Sequence, residues 1–539
     1  MRLYHENSID LISGKYPHLA VSPWHWPTTA GYVHALFLRN LHEVADVKEM
    51  DDEELADYTQ STWAVLEAEE YYFAKLALRG GRTDIRQYYY QGQIHYKDIQ
   101  SHYPHVQLNQ NYDYPVGTPT IRIYDEDYWP CNLHFQHPDE KCKCSIEKKR
   151  LYYRRRLNIV DCEDNGIEYV KTFFGICMVD ITPPTDLYHP VLVYFDKKKF
   201  KCMADLKPIV KETFTSVELQ RAIEMGYVVT KVYRADSYNK SKSKWTGLLG
   251  DMYLAKMRNS SGPPPLEDQI LMKRVFKEKY DIDLGDMNTW AKNPVLKMTA
   301  KQPITSAWGK HAETVDHPKT FMTSNSEANH EFFADFENNH HHIKEFVHMS
   351  DNRTLFKFTE SRLHTRPNLH KGYIPIAVFV PSYARLYLWE EMHKLGKRVL
   401  MHDTDSIVYT HEEGGYDTEE GKCLGDWETE DFETDNGGIV EFVAIGPKSY
   451  GLRAGNGKET FKCKGVSIKL ATEKLLNFEI AKDLLMRGEQ VMLPQFTMDY
   501  KKGYGITTRK FLKKVKFNPQ HVKGVYKADE FRSYPFGYV

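Results

Sequence analysis

The chain has 539 residues, of which 27% are charged and 13% aromatic, and its net charge is −2. That length allows roughly three or four domain-sized units around a large core and excludes a small module. No apolar run approaches the roughly 18–20 residues of a membrane span, and eight cysteines are too sparse for a disulfide scaffold. Residues Met1 to Glu6 lack the apolar segment of a signal peptide, so an intracellular chain with reduced thiols and no membrane partner is expected.

Residues 44–78 space Trp63, Leu66, Phe73 and Leu76 at helical intervals broken by acids, which predicts helices flanking the main body. A short β-like run then ends at Asp98 and passes into Ser101, Tyr103 and Pro104. About two hundred residues separate Asp98 from Lys301, more than a direct connection needs, so an insertion is expected between them. Its first part holds Cys131, His134, His137, Cys142 and Cys144, a set able to bind Zn²⁺ although its spacing is not that of clean Cys-x-x-Cys pairs. The triplet Pro263-Pro264-Pro265 makes a stiff break between an amphipathic helix near Leu254 and another from Leu266 to Tyr280.

From Lys310 to about Arg366 the chain is polar and turn-rich, and His340-His341-His342 reads as a solvated run. Ile374 to Val380 reads as a strand and Tyr383 to Leu395 as a helix. Ala454 to Lys458 is glycine-rich, but Leu452 stands where a phosphate loop requires glycine, so a hairpin turn is predicted there. Charge is segregated. Lys148 to Arg156 interleaves bases with tyrosines, Lys197 to Lys201 and Lys501 to Lys516 are also basic, and Glu412 to Asp435 holds eleven acids against one lysine. Opposed patches of this kind suit a track for a polyanion beside a repelling wall, and equally suit solvated faces.

The stretch Lys397 to Tyr409 reads as two short strands joined by a tight turn at Asp403-Thr404-Asp405-Ser406. In extended chain Asp403 and Asp405 share one face, and paired carboxylates suggest a shared cation. Alone, the tetrapeptide reads as a surface turn. Oxygen ligands suit Mg²⁺, which keeps waters and completes its shell with substrate phosphates. A site for two ions needs a carboxylate from a separate segment, and Asp98 supplies one.

Asp98-x-x-Ser101-x-Tyr103-Pro104, then Lys301-x-x-x-Thr305-Ser306-x-Trp308-Gly309, then Asp403-Thr404-Asp405-Ser406 resemble, in order, the three motifs of family B DNA polymerases. Gly80-Gly81-Arg82-Thr83, Tyr114-Pro115-Val116-Gly117, Leu187 to Leu192 and Lys448-Ser449-Tyr450 point to the protein-primed branch, found in linear plasmids, adenoviruses and Polinton-type transposons. The resemblance runs from about residue 78 to Tyr538.

It implies an α+β right-hand polymerase with a mixed-sheet palm, helical fingers, insertions like those that contact a terminal protein, and a thumb. The implied boundaries are 1–77 (helical flank), 78–110 (palm), 111–285 (insertion), 286–312 (fingers), 313–366 (second insertion), 367–475 (palm) and 476–539 (thumb). Implied roles are metal binding for Asp98 and Asp405, a supporting carboxylate at Asp403, and triphosphate neutralisation by Lys301. Tyr103 would exclude a 2′ hydroxyl, with Ser101, Thr305 and Trp308 beside the nucleotide. Lys448 and Tyr450 would hold the primer end, and Gly80, Gly81, Thr404 and Ser406 would lie along the DNA.

The implied cofactor is a pair of Mg²⁺ ions, or Mn²⁺ in their place. The implied partners are a DNA template and primer, deoxynucleoside triphosphates and a terminal protein, within a virus, linear plasmid or Polinton-like element in the host nucleus or cytoplasm. Asp335-x-Glu337 and Asp431-x-Glu433 imitate an exonuclease signature on the wrong side of the palm motifs. Only about 80 residues precede Gly80, so no proofreading is expected. Thr305 replaces an Asn, Trp308 a Tyr and Met401 a Tyr of the family pattern, and Pro303 sits inside a predicted helix. These departures keep a second reading open, an inactive polymerase-derived scaffold that binds single-stranded DNA.

Overall fold

The computed structural model describes residues 60–125, 153–196, 198, 201–314, 318–323, 329–330, 332–334, 341–350, 353–360, 372–466, 474–501 and 505–539. The Cys131–Cys144 set, Asp335 to Glu337, most of the basic run before Tyr153 and the helices expected ahead of residue 60 lie outside these residues.

Helix α1 (Ala68–Leu76) leads to strands β1 (Thr83–Ile85) and β2 (Tyr89–Ile99), helix α2 (His102–Leu108) and strand β3 (Tyr114–Ile123). Strands β4 (Ile159–Val160), β5 (Gly175–Thr182), β6 (Tyr194–Asp196), β7 (Lys201–Met203) and β8 (Ile209–Thr215), helix α3 (Ser216–Glu224) and strand β9 (Val228–Ser241) follow. Next come helices α4 (Thr246–Arg258), α5 (Leu266–Tyr280) and α6 (Pro294–His311), and strands β10 (Lys319–Met322), β11 (His341–Ser350) and β12 (Arg353–Glu360). Helix α7 (Ile374–Leu395) enters β13 (Val399–Asp403), β14 (Ser406–Thr410), β15 (Trp427–Thr429), a short helix α8 (Asp431–Thr434), and β16 (Ile439–Gly446), β17 (Ser449–Ala454) and β18 (Glu459–Cys463). Helix α9 (Phe478–Met486) and strands β19 (Gln490–Lys501), β20 (Gly505–Lys516), β21 (Val525–Lys527) and β22 (Arg532–Tyr534) complete the chain.

The acid motifs sit on an eight-stranded sheet ordered β1-β13-β14-β2-β16-β17-β18, with β15 also paired to β2. Expected as mixed, this sheet is antiparallel at every pairing, because the β13–β14 hairpin inserts between β1 and β2. The segment 454–458 is the predicted turn, between β17 and β18. Part of the long interval after Asp98 is a second sheet, ordered β4-β3-β9-β5-β8.

Local chemistry explains the helices. Asn293 caps α6 by accepting from Leu296 N, with Pro294 at its first turn. Helix α5 carries Glu267 and Asp268 in its first turn and Lys277 and Lys279 in its last, opposing the helix dipole at each end. The expected strand at Ile374–Val380 is instead the first half of α7. A segment apolar on every side fits a buried helix as well as a buried strand, and Pro375 in the first turn starts the helix. All seven residues are buried in a core that includes Trp63, Phe73, Trp245 and Tyr280, whereas Leu76 of α1 is exposed.

Candidate active site

Strand pairing joins the separated acids. Ser406 of β14 stands opposite Asp98 of β2, and Ile99 N donates to Asp405 O at 2.7 Å. Asp403 and Ser406 pair, leaving Thr404 and Asp405 at the tip. Asp405 N donates to Asp403 O at 2.7 Å around Thr404, whose φ is +64°. A β-branched residue in this region costs about 1–3 kcal/mol and persists only where neighbours hold it. Thr404 N donates to Arg82 O at 2.7 Å, and Gly81 lies so close beneath the Thr404 side chain that a Cβ there would stand 2.6 Å from Thr404 Cγ2. Glycine is required at 81 by this approach.

The acids are not equivalent. Asp403 Oδ1 accepts from Thr83 Oγ1 at 2.7 Å and from Lys448 Nζ at 2.5 Å. Burial, then Asp405, Glu430 and Glu428, push the Asp98 carboxyl up to about 8. Burial also raises Asp405, with Asp403 adding to the effect and Lys448 opposing it. Glu428 belongs to β15 and stands opposite Asp98, so the acidic run, read from sequence as a wall, feeds the site.

Crowded half-buried carboxylates of this kind are the donors a hard divalent cation takes. Among the described residues no set of three or more ligating side chains gathers. A pair such as Asp98–Asp405 is the kind of donor set through which Mg²⁺ binds, together with substrate phosphates.

Helix α6 presents Lys297, Lys301, Thr305 and Trp308 at helical intervals on one face. Trp308 Nε1 donates to Ala377 O of α7 at 3.1 Å, and its ring lies 5.1 Å from that of Tyr103. The Thr305 hydroxyl donates back to Gln302 O at 3.0 Å. Helix α6 runs unbroken past Pro303. Sequence reading missed Lys256 of α4, whose Nζ donates to Ser101 Oγ at 2.7 Å. Burial, then Lys301 and Lys297, lower its ammonium to about 8 while Glu428 opposes them, so three lysines converge near Glu428. Only the packing of α4 on α6 reveals this.

Tyr450 is buried, its hydroxyl 3.0 Å from that of Tyr96, and Lys448 at φ +59° turns β16 into β17. Ser406 is buried beside them. Gly80 O accepts from Arg385 Nη1 at 3.0 Å. Arg385 also makes 2.8 Å bonds to both carboxylate oxygens of Glu218 on α3, and each partner is 1% exposed. This unread pair fastens the second sheet to α7 and to the Gly80–Gly81 turn. Its signal was a lone Arg in an apolar helix. Arg82 binds Pro190 O at 2.6 Å and Val191 O at 2.8 Å, joining that turn to the Leu187–Leu192 motif.

The site thus combines paired acids from two separate segments of one sheet with a helix whose lysines lie on one face. Residues 6–166, which contain Asp98, Ser101 and Tyr103, match the family of DNA polymerase type B, organellar and viral. The match begins upstream of residue 78, where the motif resemblance starts. The chain is similar in fold to Phi29 DNA polymerase complexed with primer-template DNA and incoming nucleotides, at 15% identity and a TM-score of 0.53, over 94% of this chain and 70% of that one. The same enzyme with single-stranded DNA aligns at 14% identity and a TM-score of 0.50, over 89% and 67%. No curated protein matches the chain. The resemblance to type B DNA polymerases is thus shown by sequence over residues 6–166, and over most of the chain the likeness is one of fold.

Proposed function

We propose that this chain is a template-directed DNA polymerase that transfers a deoxynucleotide from its triphosphate to a 3′ hydroxyl, with protein priming as its means of initiation. One observation carries the reading: the half-buried Asp98–Asp405 pair is joined through Glu428, opposite Asp98, and through Ser101 to Lys256, on which Lys297 and Lys301 also act. Asp98 and Asp405 would hold two divalent cations, Mg²⁺ or Mn²⁺, which when bound neutralise phosphate charge and favour the attacking alkoxide. Lys256, Lys297 and Lys301 offset the charge of a triphosphate, and Tyr103, braced on Trp308, presses where a 2′ hydroxyl would lie. Lys448 pairs with Asp403, which would leave Asp98 and Asp405 to hold the cations.

Primer extension by the full chain tests this. Asp98→Ala and Asp405→Asn should abolish incorporation while DNA binding persists, and turnover in either variant would refute the site. Extension absent from the parent chain would favour the single-stranded DNA scaffold. The finer claim rests on the motifs of the protein-primed branch and on the long interval after Asp98. Deleting residues 131–160 should impair initiation on a protein hydroxyl more than extension of an annealed primer. Equal loss of both would remove protein priming.

A further inference from the structure

A second polar centre lies behind the acid-bearing hairpin. Thr83 and Asp403 pair on one face of β1–β13, so Asp84 and His402, also opposite each other, share the reverse face. There they line a cavity with Arg82, Arg86, Cys202 and Lys523, completed by Val193, Met203 and Ala204. Arg86 is fully buried, and Arg82, Asp84 and His402 nearly so, while Cys202 and Lys523 are partly exposed and form the mouth.

Three cations therefore surround one carboxylate. Arg82 directs both terminal nitrogens to carbonyls, and Lys523 Nζ donates to Thr83 O at 2.7 Å. Asp84 Oδ1 accepts from Ile85 N at 2.9 Å, and Asp84 Oδ2 stands 3.5 Å from Arg86 Nη1. No nitrogen of the Arg86 guanidinium has a hydrogen-bond acceptor among the described residues, and neither does His402 Nδ1. The Tyr188 ring, 5.9 Å away, offers Arg86 only its π face. A buried guanidinium presents five donors in a rigid fork, and leaving them unmade is far costlier than for a neutral group. Tetrahedral oxyanions match that fork with several acceptors and supply the missing charge. Burial also holds the Lys523 ammonium below its ordinary range, an effect an anion beside it would reverse.

We propose that this cavity binds a phosphate group, held by the Arg86 guanidinium and the Lys523 ammonium with Arg82 supplying further charge. The site stands whether or not the chain polymerises DNA. Two sources offer the same chemistry: free inorganic phosphate or pyrophosphate, and a backbone phosphate of single-stranded nucleic acid.

Thermal unfolding of the full chain without divalent cation tests it, using inorganic phosphate, pyrophosphate or a short oligothymidylate against chloride at equal ionic strength. Phosphate should raise the midpoint by several degrees more than chloride. Lys523→Gln should remove at least half of that gain and Arg86→Gln all of it, whereas Arg86→Lys keeps part. Because Arg86→Gln also removes the counter-charge nearest Asp84, Lys523→Gln decides the matter if that variant fails to fold. A gain that persists at saturating oligothymidylate identifies the free ion. A strand phosphate is identified if the oligonucleotide supplies the gain and Lys523→Gln lowers its salt slope by about 1. Equal responses to phosphate and chloride, or an unchanged phosphate gain in Lys523→Gln, would overturn the proposal.

Discussion

Gly81→Ala puts a methyl group where Thr404 already stands. The added carbon would lie 2.6 Å from Thr404 Cγ2, 2.8 Å from Oγ1 and 2.9 Å from Cβ. Relief to the roughly 3.5–4.0 Å of an ordinary carbon contact needs a displacement of about 1 Å. Rotating the threonine cannot provide it, because Thr404 Cβ is fixed to the backbone and is itself too close. The tip must move, against the 2.7 Å bond from Thr404 N to Arg82 O, and Thr404 is joined directly to Asp403 and Asp405. A misplacement of about 1 Å costs on the order of 10²-fold in rate, about 2.7 kcal/mol of activation free energy. Gly80→Ala is the matched control, since its Cβ would meet nothing within 4 Å. Single-turnover incorporation on an annealed primer should slow about 10²-fold in Gly81→Ala and hardly change in Gly80→Ala. Adding Thr404→Gly to Gly81→Ala should restore much of the loss, a coupling expected of side chains in contact. A Gly81→Ala chain that incorporates as fast as the parent would refute the reasoning.

Truncation in Tyr103→Ala should admit ribonucleotides, and unchanged discrimination would place the sugar gate elsewhere. In the parent, kcat/KM for the nucleotide should fall above about pH 8 as Lys256 loses its proton, and Lys256→Arg should carry the fall to higher pH; a flat profile would contradict this. Asp98 works the other way, because its deprotonation favours cation binding, so the alkaline fall belongs to the ammonium. Glu218→Gln strands a fully buried guanidinium and should cost about 3–5 kcal/mol in urea unfolding, with a loss under about 1 kcal/mol as the contrary result. Although burial opposes it, Arg385 holds the Glu218 carboxyl below its ordinary range, so the pair's stabilisation is present above the ordinary carboxylate pKa and is lost as pH falls through the lower folded value.

What the sequence made legible was the placing of residues set by short spacings. Asp98, Asp403 and Asp405 could be joined because a hairpin and a strand end place carboxylates at predictable positions, and the 454–458 turn followed from its glycines. Contacts between distant segments were not legible. Lys256 lies on an ordinary amphipathic helix and becomes informative only when α4 meets α6; Glu428 looked like one charge among many until β15 paired with β2. The α7 segment Ile374–Val380 failed for a different reason, because a run apolar on every side has no period to separate strand from helix. The reverse face of β1–β13 was also hidden, since Arg82, Arg86 and Lys523 meet across more than four hundred residues of chain.

The central claim is that carboxylates from two separate strands act together on divalent cations during nucleotide transfer. Its most direct test is single-turnover incorporation measured across a Mg²⁺ titration for the parent, Asp98→Asn and Asp405→Asn, with DNA affinity measured in parallel. The account predicts cation-dependent incorporation in the parent and none in either variant at any Mg²⁺ concentration, with DNA affinity retained in all three. Incorporation by Asp98→Asn or Asp405→Asn at the parental rate, or by the parent in chelator, would contradict it.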